Sequence, residues 1–264
     1  MSNDLGLFLR TLHERVKSEL LLERVVGGPP NDWQRKLMNS TSDIIMVLTS
    51  RRIGKSTTIG VMADQKLSKP EHQVNILSKT LAQSQLLFAK IAYAREKVAL
   101  PIETKRRTMT EMPLKNGSSV VCVPAGQDGE QARGYGVKNG LLLSDETAFI
   151  PDAIYGSTLS IAQDNAKTIL ITTPGGKSGK AYEMWSDRER YPEVERIWAC
   201  SLDLPRMAKL VERQRKVLSK FEFDVEHGLN CMGRGQQIFD SAAIATAYAD
   251  TPQLRLGDLY AGLG

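Results

Sequence analysis

The sequence predicts an α/β fold in which a mainly parallel sheet is flanked by helices. Apolar runs of strand length alternate with helical patterns along most of the 264 residues, which is typical of a sheet wound with helices. The first run, residues 44–49, leads through a short loop with Gly54, Lys55 and Ser56 into a helical pattern. A later run, residues 141–144, ends in two adjacent carboxylates. Because open α/β sheets place their sites at the carboxyl ends of strands, we expect these two features to meet there.

Composition is that of an ordinary globular protein and excludes several classes. With 41% hydrophobic and 25% charged residues, the chain can build a full core. The three cysteines lack zinc spacing, so we expect free thiols in a reducing compartment. No run approaches the roughly 18 apolar residues of a membrane span, and the first residues lack the pattern of a signal peptide. The net charge of +5 is compatible with a polyanionic partner.

The elements around these features follow in a regular order. An amphipathic helix is predicted over residues 4–25, and a second short helix begins at the capping residues Asn31 and Asp32. The helix after the glycine-containing loop extends to about Lys69. Further elements are predicted as a strand at 74–78, a helix at 80–98, a helix at 151–163, a strand at 168–173, a helix at 178–187 and a strand at 194–200.

Two segments depart from this alternation. The Asn-Gly pair at 116–117 stands between two apolar runs and is a strong hairpin signal. An antiparallel ribbon over residues 112–124 is therefore expected to interrupt the parallel pattern. Near the end of the chain, a basic helix over 206–220 is predicted to precede the aromatic residues at 221–223 and a last helix near 240–249. This part of the chain has the pattern of a small helical appendage.

The loop between the first strand and its helix has the context of a phosphate-binding loop, the Walker A element of P-loop NTPases. Free backbone N–H groups and the helix dipole favour an anion at such a position. Lys55 would reach the outer phosphates of ATP, and the Ser56 hydroxyl would hold Mg²⁺. Arg51 and Arg52 add fixed positive charge beside the phosphates. The common pattern has glycine where this chain has Thr49, so a chance loop-to-helix turn is the alternative.

The strand that ends in Asp145 and Glu146 fits a Walker B element. Asp145 is expected to hold Mg²⁺, and Glu146 to polarise the water that attacks the γ-phosphate. A carboxylate pair that caps the following segment is the alternative. Thr172 and Thr173, at the end of the next strand, either sense the γ-phosphate through their hydroxyls or belong to a strand that Pro174 terminates.

Two further side chains fit a nucleotide site. Gln34 follows Trp33 and offers a donor and an acceptor to the edge of an adenine. A buried tryptophan beside a solvent-facing glutamine is equally compatible with this pair. Arg133 lies in a glycine-flanked loop, where it either projects towards the γ-phosphate of a neighbouring subunit or remains a solvated surface arginine.

Together these residues resemble the ATPase domain of the large terminase subunit, the motor that packages DNA into the heads of tailed bacteriophages. A loop that lacks the first glycine and carries Ser50 and Arg51 in its place is usual in that family. The segments that carry the resemblance are 33–35, 50–57, 78–80, 132–134, 143–146 and 171–174. The resemblance implies an additional-strand, RecA-like P-loop fold with a small C-terminal lid.

The resemblance also implies a role for each matching residue. Glu146, Arg51 and the trans-acting arginine finger Arg133 would be catalytic, and Thr172 and Thr173 would couple hydrolysis to movement. The metal ligands would be Ser56 and Asp145. The residues implied in ATP binding are Gln34, Ser50, Arg51, Arg52, Ile53, Gly54, Lys55, Ser56 and Thr57.

On this basis the chain divides into a P-loop ATPase core over 1–203 and a helical lid over 204–264, which includes the start of a linker to an absent nuclease domain. No nuclease activity is therefore expected. Mg-ATP hydrolysis would drive double-stranded DNA, held through its phosphates, into the procapsid. The implied partners are the portal protein, the small terminase subunit and further copies in a homo-oligomeric ring, with a monomer in isolation left open. The implied location is the host cell cytoplasm and, transiently, the procapsid portal, without a membrane.

Two alternatives stay open. A helicase-like DNA translocase is also an ATPase, but such proteins carry two motor cores, and this length holds one. A catalytically idle P-loop adaptor module belongs to a different class. The presence of Lys55, Asp145 and Glu146 together argues against an idle site.

Overall fold

The computed structural model of the chain describes residues 18–98, 102–123, 135–137, 139–162 and 165–228. The helices are α1 (18–26), α2 (Asp32–Asn39), α3 (Lys55–Leu67), α4 (Leu81–Val98), α5 (Asp152–Ile161), α6 (Lys180–Ser186), α7 (Ala208–Arg215) and α8 (Lys220–Glu226). The strands are β1 (Ile44–Thr49), β2 (Gln73–Leu77), β3 (Glu111–Pro113), β4 (Ser119–Val123), β5 (Gly140–Asp145), β6 (Ala166–Thr172) and β7 (Val194–Ala199). The first part of the helix predicted over 4–25 and the helix predicted near 240–249 lie outside the described residues.

Within the described residues, seven strands form one sheet in the order β3-β4-β2-β5-β6-β1-β7. All neighbours pair in parallel except β3, which pairs antiparallel with β4. The predicted mainly parallel sheet is thus confirmed, as is the hairpin at 112–124. Its second strand, β4, continues the parallel sheet, so only the short β3 runs in the opposite direction. Because β6 lies between β1 and β5, the additional strand is also confirmed.

Both faces of the sheet are covered by helices, which explains why its strands are almost continuously apolar. In β1, Ile45 and Val47 point to one face and Met46 to the other. The first face packs against α2, α3, α4, α7 and α8, and the second against α5 and α6. Buried side chains that helices supply to the first face are Leu37, Ile59, Leu67, Leu87, Phe88, Ile91, Val211 and Phe223. No helix in the described part of the chain is long and apolar enough to cross a membrane.

The start of β5 lies unusually close to β2. Gly140 has a φ of +128°, and a Cβ at this position would stand 1.9 Å from the carbonyl oxygen of Gln73. Any side chain would therefore push β5 away from β2, and glycine is required here. This contact fixes the register in which β5 carries its acidic end to the edge of the sheet.

The basic helix predicted over residues 206–220 was wrong in extent. The chain forms α7 to Arg215, leaves the helix, and starts α8 after Ser219. The Ser219 hydroxyl accepts a hydrogen bond from the backbone N–H of Glu222 at 3.2 Å, and the Glu222 carboxylate accepts from the Ser219 N–H at 2.9 Å. This reciprocal capping box starts a new helix, and its signal outweighs the basic periodicity. Phe223, predicted to follow the helix, lies inside α8 and in the core.

The described part of the predicted lid shares the core of the sheet. Leu204, Met207 and Val211 join the same apolar cluster as β1 and β6. All the described residues belong to one compact unit, and residues after 228 lie outside the described part. The division of the chain between residues 203 and 204 therefore stays a prediction.

A buried ion pair connects α3, the helix that follows the phosphate loop, to α4. Asp64 is fully buried, and its Oδ1 lies 2.8 Å from Arg95 Nη1. Arg95 also donates to the carbonyl oxygen of Ile102. Burial raises the pKa of Asp64, while the neighbouring Arg95 opposes this rise. The pair holds α3 against α4, and because both side chains are buried, water cannot replace this contact.

We expect Arg95→Met to lower the free energy of unfolding at pH 7 by about 3–5 kcal/mol, because it leaves the Asp64 carboxylate buried without its partner. Urea denaturation followed by circular dichroism measures this change. Lys90→Met, on the exposed surface of α4, is the matched control and should change stability by no more than about 0.5 kcal/mol. A loss below about 1 kcal/mol in Arg95→Met would contradict a stabilising role for the pair.

Candidate functional site

The loop between β1 and α3 has the backbone geometry of an anion site. Gly54 adopts a left-handed conformation with φ of +99° and ψ of 16°, and it stands as the N-cap of α3. This turn, which costs glycine little, directs the chain from the strand into the helix. Ser56 and Thr57 occupy the first turn of α3 and are half-buried. The first N–H groups of the helix have no partners within the helix and are available to an anion.

The side chains of the loop divide into two groups. Arg51, Arg52 and Lys55 line a cleft of about 370 Å³. Ser50 and Ile53 are fully buried and pack inside the protein, so any contact they make with a phosphate must come from their backbone. The other residues that line the cleft are Lys79, Gln83, Glu146, Phe149 and Thr173.

The acidic end of β5 meets Lys55 at this cleft. The Lys55 ammonium contacts the Oε1 of Glu146 and lies 3.5 Å from Asp145 Oδ1. The other oxygen of Glu146 accepts hydrogen bonds from the Thr173 N–H at 3.3 Å and the Thr173 hydroxyl at 3.1 Å. The ends of β5 and β6 and the first turn of α3 thus place a cation, two carboxylates and a hydroxyl within contact distance.

Glu146 has a backbone conformation that residues other than glycine rarely adopt. Its φ of +50° and ψ of 45° lie in the left-handed region, which costs free energy for a residue other than glycine. The contacts with Lys55 and Thr173 offset this cost. Such an outlier at a cleft that carries charged groups is typical of a functional site.

Burial and charge act differently on the two carboxylates. Burial raises the pKa of Asp145, and the nearby Lys55 only partly opposes this effect. Burial acts in the same direction on Glu146, but Lys55 and the hydrogen bonds from Thr173 outweigh it and lower its pKa. Glu146 is therefore ionised at neutral pH and can accept a proton.

The two threonines at the end of β6 face different partners. The Thr172 hydroxyl accepts from the Ala148 N–H at 3.1 Å and donates to the Thr173 carbonyl at 2.8 Å. It therefore ties the end of β6 to the turn after Glu146. The Thr173 hydroxyl, in contrast, binds Glu146 directly. Of the two, the structure places Thr173 in the lining of the cleft.

Gln34 lies behind the phosphate loop. It is fully buried, so the predicted alternative of a solvent-facing glutamine is wrong. Its amide bonds to Asn31 and to the Thr58 hydroxyl of α3. The other predicted residue with an undecided position, Arg133, lies outside the described residues.

Sequence reasoning missed the contacts that the segment after β7 makes with the phosphate loop. Arg206 donates to the carbonyl oxygen of Ile53 at 2.6 Å, and Glu226 pairs with Arg51 at 3.1 Å. The Ser50 hydroxyl lies 3.3 Å from the carbonyl oxygen of His227. These partners are far from the loop in sequence, so no local pattern could reveal them. The cleft residue Lys79 lies in the segment 78–80 that carries the resemblance, but it was given no role there, although it follows the carboxyl end of β2.

Oxygen atoms near the cleft are candidate ligands for a metal ion. Among the described residues, no cluster of three or more histidine, cysteine or carboxylate side chains could hold a metal ion. Mg²⁺ does not need such a cluster, because one or two protein oxygens with phosphate and water complete its shell. The half-buried Asp145 carboxylate and the Ser56 hydroxyl, at the ends of neighbouring elements, offer oxygen ligands of the kind that it prefers. The residues present therefore fit Mg²⁺ bound together with a polyphosphate.

The fold and the site define a P-loop NTPase with an additional strand between the loop strand and the acidic strand. The family model described as "Terminase large subunit, T4likevirus-type, N-terminal" matches residues 46–246. The chain therefore belongs to this terminase family, and the resemblance stated from the motifs is confirmed. A comparison with curated proteins found no match.

Solved structures with the same fold include large terminases of several phages. The large terminase ATPase domain of Thermus phage P74-26 superposes with a TM-score of 0.65 at 21% identity, over 80% of this chain and 97% of that one. The large terminase of a thermophilic bacteriophage in complex with ADP gives 0.64 at 14% identity, over 77% of this chain and 54% of that one. The HK97 bacteriophage large terminase gives 0.61 at 13% identity, over 83% and 55%. This chain thus spans little more than half of the latter two proteins.

The charge cluster makes a prediction about stability. The lowered pKa of Glu146 means that its pairing stabilises the fold above the ordinary pKa of 4.5, and that this stabilisation is lost as the pH falls through the lowered value. We expect Lys55→Met to lower the free energy of unfolding by about 2 kcal/mol at pH 7 and by clearly less at a pH below the lowered value, measured by urea denaturation.

Lys177→Met serves as the control, since Lys177 is exposed in the loop after β6. It should change the free energy of unfolding equally little at both pH values. If Lys55→Met destabilises the fold by the same amount at both pH values, Lys55 acts through packing of its aliphatic part and not through its charge.

Proposed function

We propose that the chain is the ATP-hydrolysing motor domain of a DNA-packaging terminase, which couples Mg-ATP hydrolysis to the movement of double-stranded DNA into the procapsid. The observation that carries this proposal is the cluster of Lys55, Asp145, Glu146 and Thr173 beside a phosphate-type loop. Family membership supplies the biological setting.

ATP would be bound mainly through its phosphates. The N–H groups at the start of α3 would surround the anion, with Lys55 on the outer phosphates and Arg51 and Arg52 at the mouth of the cleft. Gly54 and Thr57 would contribute backbone groups, as would the buried Ser50 and Ile53. The large terminase of a thermophilic bacteriophage, which shares this fold, has been solved in complex with ATP-γ-S, and this supports a nucleotide ligand here.

Ser56 and Asp145 would hold Mg²⁺, which when bound neutralises charge on the phosphate oxygens. Lys55 would contribute to the same neutralisation. Its ammonium now lies beside two carboxylates, and a triphosphate, which carries more negative charge, would attract it more strongly. Its transfer to the phosphates leaves the Glu146 carboxylate with Thr173 as its remaining anchor.

Glu146 would then act as the general base or the residue that orients water. The attacking water forms a bond to the γ-phosphorus, the bond from that phosphorus to the ADP oxygen breaks, and the proton of the water passes to the carboxylate. The Thr173 N–H and hydroxyl fix one carboxylate oxygen and leave the other free to face the water. The hydrogen bonds from Thr173, which also lower the pKa of Glu146, remain after Lys55 has moved and favour the ionised carboxylate for this step.

Thr172 and Thr173 would link hydrolysis to movement. Thr173 contacts Glu146, while Thr172 is bonded to the N–H of Ala148 in the turn that follows Glu146. A change in the contacts of Glu146 therefore reaches the end of β6 through two adjacent residues. Residues 204–264 would serve as a helical lid of the site, and the described part of this segment contacts the phosphate loop.

The whole machine would be a homo-oligomeric ring on the portal protein in the host cell cytoplasm, with the small terminase subunit as a further partner. Arg133 would reach the γ-phosphate of the neighbouring subunit as an arginine finger. DNA would be held through its phosphates and so without regard to sequence. No nuclease activity is expected from the residues of this chain. An idle adaptor is disfavoured because Lys55, Asp145 and Glu146 are all present and lie together at the cleft.

The test of this function is steady-state ATPase activity against protein concentration, with and without double-stranded DNA. We expect turnover per subunit to rise with both, and the effect of DNA to fall steeply as salt is added. Arg133→Ala should retain ATP affinity but lose the stimulated activity by about 10³-fold, whereas Arg188→Ala, an exposed arginine, should not. Turnover that depends neither on protein concentration nor on Arg133 would exclude the trans finger, and ATP binding without phosphate release would favour the adaptor.

Glu146→Gln should bind ATP with a dissociation constant close to that of the unmodified chain and lower kcat by roughly 10²- to 10⁴-fold, because the amide cannot accept the proton. Calorimetric titration and a phosphate-release assay measure the two quantities. Glu189→Gln, which changes an exposed carboxylate, is the control and should preserve both. Near-normal turnover in Glu146→Gln would remove Glu146 from the catalytic role.

A further inference from the structure

The acceptor positions of the Gln34 amide are both used inside the protein. Its Oε1 accepts from the backbone N–H and from the Nδ2 of Asn31, each at 2.8 Å. An amide oxygen has two acceptor sites, and an adenine edge offers a donor beside an acceptor. A fully buried Gln34 therefore has no acceptor left with which to pair an adenine.

The remaining polar atom of Gln34 is directed to the turn of the phosphate loop. Its Nε2 donates to Thr58 Oγ1 at 2.7 Å, and this hydroxyl donates to the carbonyl oxygen of Gly54 at 3.1 Å. The Thr58 N–H donates to the same carbonyl at 3.1 Å. The Gly54 carbonyl is thus connected to α2 through a single hydroxyl group.

The neighbouring carbonyl of the loop is held by Arg206. Its Nη2 donates to the Ile53 carbonyl oxygen at 2.6 Å. The same nitrogen lies 3.4 Å, and the Gln34 Nε2 3.7 Å, from the point where a Cβ on Gly54 would stand. The successive carbonyls of Ile53 and Gly54 therefore each accept a hydrogen bond from a side chain. The support for one comes from Arg206, late in the sequence, and the support for the other comes through Thr58 from Gln34, early in the sequence.

A loop that turns its N–H groups towards an anion leaves its carbonyl groups directed elsewhere. Holding these carbonyls fixes the N–H groups before the anion arrives, which reduces the cost of ordering the loop on binding. We propose that Gln34, Thr58 and Arg206 are positioning residues that keep the phosphate loop ready for a polyphosphate, and that Gln34 does not read the base. This inference rests on the proposed ATP-binding function and differs from the adenine contact that the resemblance implies for Gln34.

The test compares the dissociation constants of ATP, GTP and inorganic tripolyphosphate, each with Mg²⁺, by isothermal titration calorimetry. Gln34→Met, Thr58→Val and Arg206→Ala should weaken all three ligands by a common factor of roughly 3- to 10-fold and leave the ratio of ATP to GTP affinity unchanged. Thr58→Ser and Arg206→Lys retain a donor, so their dissociation constants should stay within about twofold of those of the unmodified chain.

Lys36→Ala is the control for the loss of one positive charge. Lys36 is exposed on α2 and does not line the cleft, so all three dissociation constants should stay unchanged. Arg206 is exposed as well, and Arg206→Ala therefore remains a test if Thr58→Val does not fold.

Three results would overturn the proposal. A changed ratio of ATP to GTP affinity in Gln34→Met, with tripolyphosphate affinity intact, would make Gln34 a reader of the base. Unchanged affinities in Arg206→Ala would remove Arg206 from the loop's support. Failure of the unmodified chain to bind any of the three ligands would overturn the ATP-binding function itself, and the inference with it.

Discussion

The candidate site depends on one ammonium group, that of Lys55. Asp145 and Glu146 lie side by side and half-buried, where desolvation and mutual repulsion both disfavour two negative charges. The Lys55 ammonium contacts Glu146 and lies close to Asp145, and its attraction, together with hydrogen bonds from Thr173, lowers the pKa of Glu146. A ligand that carries more negative charge than these carboxylates can compete for the same ammonium. The Lys55 ammonium can therefore exchange the protein carboxylates for a phosphate as its partner.

The strand order brings these groups together. Because β6 lies between β1 and β5, the residue that follows β6 stands between the phosphate loop and the acidic strand end. That residue is Thr173, whose N–H and hydroxyl hold the second oxygen of Glu146. These contacts maintain a left-handed backbone at Glu146 that would otherwise be unfavourable. Parallel pairing aligns the strand ends at one edge and so assembles the site.

The opposite side of the phosphate loop is held by elements that are not part of the cleft. The amide of Gln34 and the guanidinium of Arg206 support its carbonyls, and Ser50 and Arg51 contact the end of α8 and the residue after it. The loop is thus fixed by both the beginning and the end of the described chain. A movement of the segment that carries Arg206 would act directly on the backbone of the loop, and a movement of α8 would act on the side chains of Ser50 and Arg51.

Local patterns in the sequence were enough to predict the strands, the hairpin at 116–117, the Gly54 turn and the acidic pair at 145–146, because each depends on neighbours within a few residues. Periodicity and turn chemistry act over the same short range, so they could be read without a structure. The surroundings of Gln34 and the partners of Arg206 became known only from the folded chain. They depend on how elements far apart in sequence pack. A hydrophobic pattern in the sequence can indicate that a side chain is buried, but it does not identify the groups that surround it.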